Sequence, residues 1–348
     1  MDDGMAYYRP HRTVVKLCLL ISERMPVAKK SMFRAIAGLV LFALAVAHNA
    51  GAAWPEKTVR IVIPWPPGGS TDIVGRLLAA EMTQRLKQQF IIDNRAGAGS
   101  IIGLQYASQL PPDGYSLMLT STAYGFLIDK PKVPVDLVNS FAPVAYIGVG
   151  DSAFAIHPSL QVNSVQALID LAKKRPGELL YASSGIGGFP HMSTELFKMM
   201  TKTNLTHVPF KGGGPAAADV MAGHTQMIFG SLPTVAAMIG AGRLKLLATG
   251  GKQRNPIYPK IPSIAETVPG YESTIWWGLF APKTTPADVI ARVHAEINTA
   301  LTSPELLRRL EEQGAVPSKM SSAEFGKLMV AETHKWLEVI RVAGIKAE

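Results

Sequence analysis

Sulfur chemistry is nearly missing from this chain. Its single cysteine, Cys18, lies ahead of an apolar, export-like stretch. Beyond that stretch the chain therefore has no disulfide, no thiol nucleophile, no cysteine metal ligand and no thiol to carry a lipid. An exported chain without disulfides rests on its apolar core, which fits a bacterial periplasm better than an animal extracellular space. Familiar catalytic spacings are missing too. Ala331-Glu332-Thr333-His334 lacks the paired histidine of a zinc protease, and Gly68-Gly69-Ser70 has no lysine at the Walker offset. Ser183-Ser184-Gly185 has no glycine two residues before the serine, as a hydrolase elbow requires. His157, His191, His207 and His224 are scattered without metal-ligand spacing and read as structural or surface side chains. No basic cluster with interleaved aromatics occurs, which argues against nucleic acid.

What is present begins with a leader. Lys29, Lys30 and Arg34 precede an apolar run over residues 35–47, and Ala50-Gly51-Ala52 supplies small residues for cleavage. These are the three parts of a secretory signal peptide, and the run is too short to span a bilayer comfortably. Residues 1–52 are therefore expected to be removed, with Met25 or Met32 a more natural start than Met1. Their loss lowers the formal charge from +9 to +5, and a mild positive charge suits an anionic ligand. The remainder of a chain that is 47% hydrophobic and only 18% charged is long enough for two α/β lobes.

The organising stretch is Val59-Arg60-Ile61-Val62-Ile63-Pro64-Trp65-Pro66-Pro67-Gly68-Gly69-Ser70-Thr71-Asp72. A β-branched apolar strand runs into prolines and glycines that forbid a ladder, and then into good helix-capping residues. The next helix carries Ile73, Leu77, Leu78 and Met82 on one side. A strand that passes through a glycine loop into a helix N-terminus is a seat for an anion. The same order repeats. Strands read over 90–93 and 115–120 complete a β-loop-α-β-loop-α-β unit, and strands over 154–157, 179–183, 205–209, 227–229 and 244–248 build a second, similar lobe. Helices read over 165–174, 191–200 and 216–221 belong to that second lobe. Residues 271–282, with Trp276 and Trp277, read as an extended return crossing. Helices over 286–301, 304–312 and 322–343 read as cover for the first lobe. Parallel strands made by crossovers bind ligands at the loops leaving their carboxyl ends, here residues 66–72, 96–103 and 120–124.

Those loops bring small hydroxyls together: Ser70, Thr71, Ser100, Ser121, Thr122, Ser183, Ser184 and Ser231. With backbone amides, such groups hold carboxylates without a salt bridge. Helix capping is the competing use for them. Asp72 is either a cap or a carboxylate facing the ligand, and Lys211 either pairs with an anion or is a solvated loop lysine. A rival reading takes Gly97-Ala98-Gly99-Ser100-Ile101-Ile102-Gly103 as a dinucleotide loop of an NAD(P)-dependent oxidoreductase. It comes after the second strand, though, and no acidic residue closes the next one. An exported sensor domain presenting its ligand to a signalling partner is a second rival.

Taken together, these motifs resemble the Bug-type solute receptors of tripartite tricarboxylate transporters. The resemblance is carried by residues 64–72, by Asn94-Arg95-Ala96-Gly97-Ala98-Gly99, by Pro112-Asp113-Gly114-Tyr115, and by Tyr181-Ala182-Ser183-Ser184-Gly185-Ile186-Gly187 with His191. Val208-Pro209-Phe210-Lys211-Gly212 and Trp277-Gly278-Leu279-Phe280-Ala281-Pro282 add to it. It implies a two-lobed, type II-like periplasmic binding protein with a mixed, mainly parallel sheet in each lobe and two hinge crossings. Lobe 1 is expected over 53–152 plus 277–348 and lobe 2 over 153–276. The implied function is cofactor-free capture of a small carboxylate-bearing solute, delivered by a monomer to a membrane permease. In such receptors the first two loops grip a carboxylate, which points here to Trp65, Pro67, Gly68, Gly69, Ala98 and Gly99 beside the hydroxyls. The second lobe reads the rest of the ligand, which points to Gly187, Gly188, His191, Phe210, Lys211 and Gly212. Trp65 stands where phenylalanine is usual, and Gly188 where serine or threonine is frequent. Both departures suggest a ligand unlike the family's simpler dicarboxylates and amino acids.

Overall fold

The computed structural model describes residues 54–122, 135 and 137–343. The expected leader, residues 1–52, and the end of the 120–124 loop lie outside the described residues. The chain divides between Glu56 and Lys57, and the elements of the fold belong to the second unit. In chain order they are β1 (Val59–Ile63), α1 (Ser70–Leu86), β2 (Phe90–Asn94), α2 (Ile101–Ser108), β3 (Ser116–Ser121) and β4 (Phe141–Ile156). Then come α3 (Val165–Lys174), β5 (Leu180–Ser183), α4 (Phe189–Thr201), β6 (Thr206–Pro209), α5 (Gly213–Ala222), β7 (Met227–Ser231), α6 (Leu232–Gly240) and β8 (Lys245–Thr249). The return passes through β9 (Thr274–Pro282), α7 (Ala287–Ala300), α8 (Pro304–Glu312), β10 (Ala315–Pro317) and α9 (Ser322–Ala343).

The strands lie in the order β2-β1-β3-β9-β4-β7-β5-β6, with β8 and β10 also pairing β4. Parallel pairing joins β1 to β2 and β3, and β5 to β6 and β7. Every pairing of the long strands β4 and β9 is antiparallel. β4 is the element that links the two halves. Its residues from Phe141 to Asp151 pair β9, and those from Ser152 to Ile156 pair β7 and β8. Only the end of this strand was legible in the sequence, because Pro143, Gly148 and Gly150 punctuate the rest. Register shifts near Pro143 and Gly148 explain the tolerance: a bulge needs no ladder N–H from a proline. Gly148 also lets the backbone of Val316 and Pro317 in β10 approach closely.

Packing differs from the sequence reading in a few places. On α1 the large apolar side chains that are buried are Val74, Leu78 and Met82, while Ile73 and Leu77 are only half-buried. Gly75 turns the inner face, since a Cβ there would come within 2.8 Å of Ile63 Cδ1 and Leu119 Cδ2. The helix thus lies directly on the sheet. Residues 230–233 read as a loop, but Gly230 and Ser231 end β7 and Leu232 and Pro233 open α6, where Pro233 fits the first turn that needs no N–H from it. The C-terminal helix α9 seats Phe325 edge-on against Tyr146 and Trp276. It also reaches beyond the first half, where Trp336 meets Phe189 of α4 edge-on at 6.4 Å. In the second half Phe154, Phe197 and Phe229 form the aromatic centre, with Phe154 and Phe229 stacked at 3.9 Å.

Gly103 is the tightest helix-to-strand contact behind the first loops. A Cβ there would strike the Arg95 carbonyl oxygen and lie 2.7 Å from Pro64 Cα, both fixed backbone. Gly103→Ala is therefore expected to destabilise by about 2 kcal/mol or more through overpacking, read as a lower urea midpoint with an unchanged slope.

Candidate functional site

A cleft of about 430 Å3, its open mouth included, lies where the two halves of the sheet meet. The first half contributes Trp65, Pro66, Gly69, Ser70 and Thr71 from the β1–α1 turn, Ser121 from the end of β3, and Ile275 from β9. The second contributes Ser184 after β5, Phe189 and Pro190 from α4, Gly213 from α5, and Ser231 and Thr234 at the start of α6. No residue in this lining is charged.

The starts of four helices therefore converge on one space. α1, α4 and α5 are capped by Gly69, Gly188 and Gly212, and α6 by Ser231; no cap side chain accepts a backbone N–H of its own helix. The first-turn N–H groups are left for another acceptor, at the positive end of each helix dipole. Among the described residues, the hydroxyls of Ser70, Thr71, Ser121 and Ser184 make no hydrogen bond to protein. Ser231 Oγ and Thr234 Oγ1 pair with one another at 2.9 Å.

Other residues that the sequence singled out stand one layer behind the wall. The Asp72 carboxylate accepts from Gly68 N–H at 3.0 Å, Arg76 Nε at 2.9 Å and Asn94 Nδ2 at 3.0 Å. Asn94 Nδ2 also donates to the Trp65 carbonyl at 3.0 Å. Asp72 thus pins the loop from behind, much as the third residue of a capping box does. Burial raises its pKa, but the bonds from Arg76, Gly68 and Asn94 outweigh that and hold the carboxyl below its ordinary value of 3.8. Thr122 Oγ1 accepts the Trp276 N–H at 2.9 Å. Ser183 is fully buried, with Oγ 2.5 Å from His207 Nε2 and 3.1 Å from the Gly185 nitrogen. That Ser–His pair has no exposed oxygen to attack a substrate. His191 Nδ1 accepts from Gly187 N–H.

The remaining candidates lie off the lining. Pro67, Gly68, Ala98, Gly99 and Lys211 are exposed, Ser100 is buried, and Phe210 packs on the second core. Ala98 and Ser100 have φ of 46° and 82°, a left-handed strain that side chains rarely accept. Gly212 packs against Pro66. Pro66, Phe189, Pro190 and Gly213 sit inside loops that the sequence assigns to the ligand, without being singled out there; Thr234 and Ile275 were missed as wall residues. Thr234 was hidden by the unread start of α6, and Ile275 by an extended segment with no polar signal.

The halves touch across the cleft mouth through backbone. A Cβ on Gly214 would lie 3.2 Å from the Gly68 carbon and the Pro67 oxygen, and the corresponding position on Gly69 is 4.0 Å from the Gly213 nitrogen.

Residues 74–345 match the family described as the tripartite tricarboxylate transporter family receptor. The chain belongs to this family. It is 31% identical over 317 residues to BugT of Bordetella pertussis, covering 90% of this chain and 97% of that protein. Among solved structures it resembles an R. palustris protein determined with adipate (34% identity, TM-score 0.81, 84% and 99% of the two chains). It also resembles MatC from Rhodopseudomonas palustris with bound malate (27% identity, TM-score 0.76, 82% and 100% coverage). The two-lobed periplasmic binding fold is thereby established, and members of the family are periplasmic solute-binding receptors rather than enzymes. The oxidoreductase reading of residues 97–103 is withdrawn on that ground. Among the described residues no helix is long and apolar enough to cross a membrane.

Proposed function

We propose that this receptor captures a dicarboxylate with an apolar middle in the cleft, closes over it, and hands it to a membrane permease. The observation that carries the reading is the convergence of uncapped helix starts and free hydroxyls on a space with no charged side chain. Neutral dipoles of this kind stabilise an anion without committing it to a salt bridge. One carboxylate would sit on the first turn of α1 with Ser70, Thr71 and Ser121. The far end would meet Ser184, Gly213 and the Ser231–Thr234 pair. The relatives solved with adipate and malate support a two-ended acid, while Trp65 and Phe189 would favour a ligand with an apolar middle.

The lobes of this reading are residues 53–152 with 277–348, and 153–276. The change of pairing partners in β4 between Asp151 and Ser152 supports that division. Two rigid halves joined by two strands close by hinge motion, and ligand contacts to both favour the closed state. The proposal includes export with removal of residues 1–52, and a monomeric receptor.

A thermal-shift screen over C3–C8 dicarboxylates, aromatic acids and amino acids tests it, because a ligand bound only by the folded state raises the melting temperature. A dicarboxylate is expected to give the largest shift. Ser121→Ala and Ser184→Ala should each weaken that ligand about tenfold to a hundredfold, the worth of one hydrogen bond to a charged group. A flat response to every acid would sink the reading.

A further inference from the structure

β5 and β6 run parallel with Tyr181 opposite His207, so their rings share one face of the sheet edge. There they stack at 4.9 Å, and His207 stacks in turn on His191 of α4 at 4.2 Å with the planes 13° apart. These rings lie beneath residues 184–188, the loop that carries Ser184 into the cleft and places the cap of α4. Each imidazole ties that loop down. His191 Nδ1 accepts the Gly187 N–H at 3.0 Å in a buried bond, and His207 Nε2 meets Ser183 Oγ, which also holds the Gly185 N–H.

We propose that His191, braced by His207, is a positioning residue for solute binding: its neutral Nδ1 holds residues 184–188 in the shape that reads the ligand, and its protonation releases them. This rests on the cleft being the solute site. A proton on Nδ1 would point at the Gly187 N–H, setting two donors against each other where one must accept. The neutral ring therefore carries its proton on Nε2, which faces Glu195 Oε1 at 3.9 Å.

The charged and titratable groups facing His191 are His207 on β6, Tyr181 on β5, and Glu195 and Lys198 on its own helix. Glu195 would favour a cation, but its Oε1 already accepts from the Tyr181 hydroxyl and from Lys198 Nζ, both at 2.7 Å. Burial pushes the pKa of His191 below its ordinary value, Glu195 opposes this and Lys198 adds to it. Burial, with the neighbouring His191, pushes His207 down to about 4. Both folded-state values are thus depressed. The ordered loop is complete above about pH 6.5, the ordinary histidine value, and is lost as the pH falls from there through the lowered values.

The test tracks imidazole nitrogen and backbone amide resonances of the protein from pH 7.5 to 4.5, with adipate binding measured by calorimetry at pH 7.5. His191 Nδ1 should be unprotonated at neutral pH, and the Gly187 amide should shift together with His191 on acidification. His191→Asn keeps an acceptor at the same place and should hold Gly187 protection and adipate affinity within about threefold. His191→Leu keeps bulk without an acceptor, and should lose about tenfold or more in both. A folded His191→Leu protein that retains both would overturn the proposal, as would a Gly187 amide indifferent to His191 titration in the wild type. Should His191→Leu fail to fold, the wild-type titration decides alone. Should the wild type not bind adipate, the acid with the largest thermal shift replaces it, a flat response to every acid puts the carboxylate reading at fault, and Gly187 protection in the variants still decides the role of His191.

Discussion

Replacing Gly214 with alanine is expected to weaken dicarboxylate binding about tenfold, and with leucine about a hundredfold or more, with no fall in melting temperature. Gly214 is the second residue of α5, and its missing side chain leaves room for the Pro67–Gly68 backbone of the opposite half. Neither neighbour is a flexible side chain that could swing away. A methyl group 3.2 Å from a carbon and an oxygen of fixed backbone forces the halves apart by a few tenths of an ångström. Leucine forces them further. Affinity then falls with the fraction of molecules able to close. Within its own helix, alanine is the better residue by up to about 1 kcal/mol, so simple damage to α5 is not the expected route. Calorimetry with adipate, beside differential scanning calorimetry of the free protein, separates the two effects. Gly240→Ala, at the far end of α6 and outside the cleft lining, is the control, because its Cβ would meet nothing within 4 Å. Unchanged affinity in Gly214→Leu would show that closure does not run through this contact.

Asp72→Ala should be the most damaging single change behind the first loop, at about 2–3 kcal/mol of stability. It strips an acceptor from Gly68 N–H and Asn94 Nδ2, groups that hold the turn carrying Trp65 and Gly69. Arg76 is half-exposed and recovers its solvation, so the cost lies mainly with the two neutral donors. Asp72→Asn should be milder, since its amide keeps one acceptor while setting an N–H₂ against donors. The pH dependence has a definite sign. The folded-state pKa of Asp72 lies below 3.8, so its contribution is complete above the ordinary carboxyl value. It is lost as the pH falls below 3.8 through the depressed one. Urea midpoints at pH 7 and pH 3 should therefore differ less in Asp72→Ala than in the wild type. An equal difference in both would remove Asp72 from the account.

Much of the architecture was legible because local chemistry and final structure agree. α3, α8 and α9 occupy the spans their periodicity predicts, and β1 is the apolar strand its composition predicts. The glycine loops over 66–72, 184–190 and 210–215 do open helices that face the cleft. What escaped was non-local. Pro143 and two glycines disguise β4, whose length is set by partners distant in sequence. Asp72, His191 and His207 carry the same letters whether they touch a ligand or hold the loop that does. Only the positions of Gly68, Gly187 and Ser183 distinguish those roles.

Most short strands, and the glycine turns that leave amides free before a helix, are thus written in the chain alone, since each depends on residues a few positions apart. Which of those amides share one cavity, and which hydroxyls are already spent on their neighbours, was settled only by folding. Burial and hydrogen-bond partnership are properties of residues brought together from remote parts of the chain, and no local pattern encodes them.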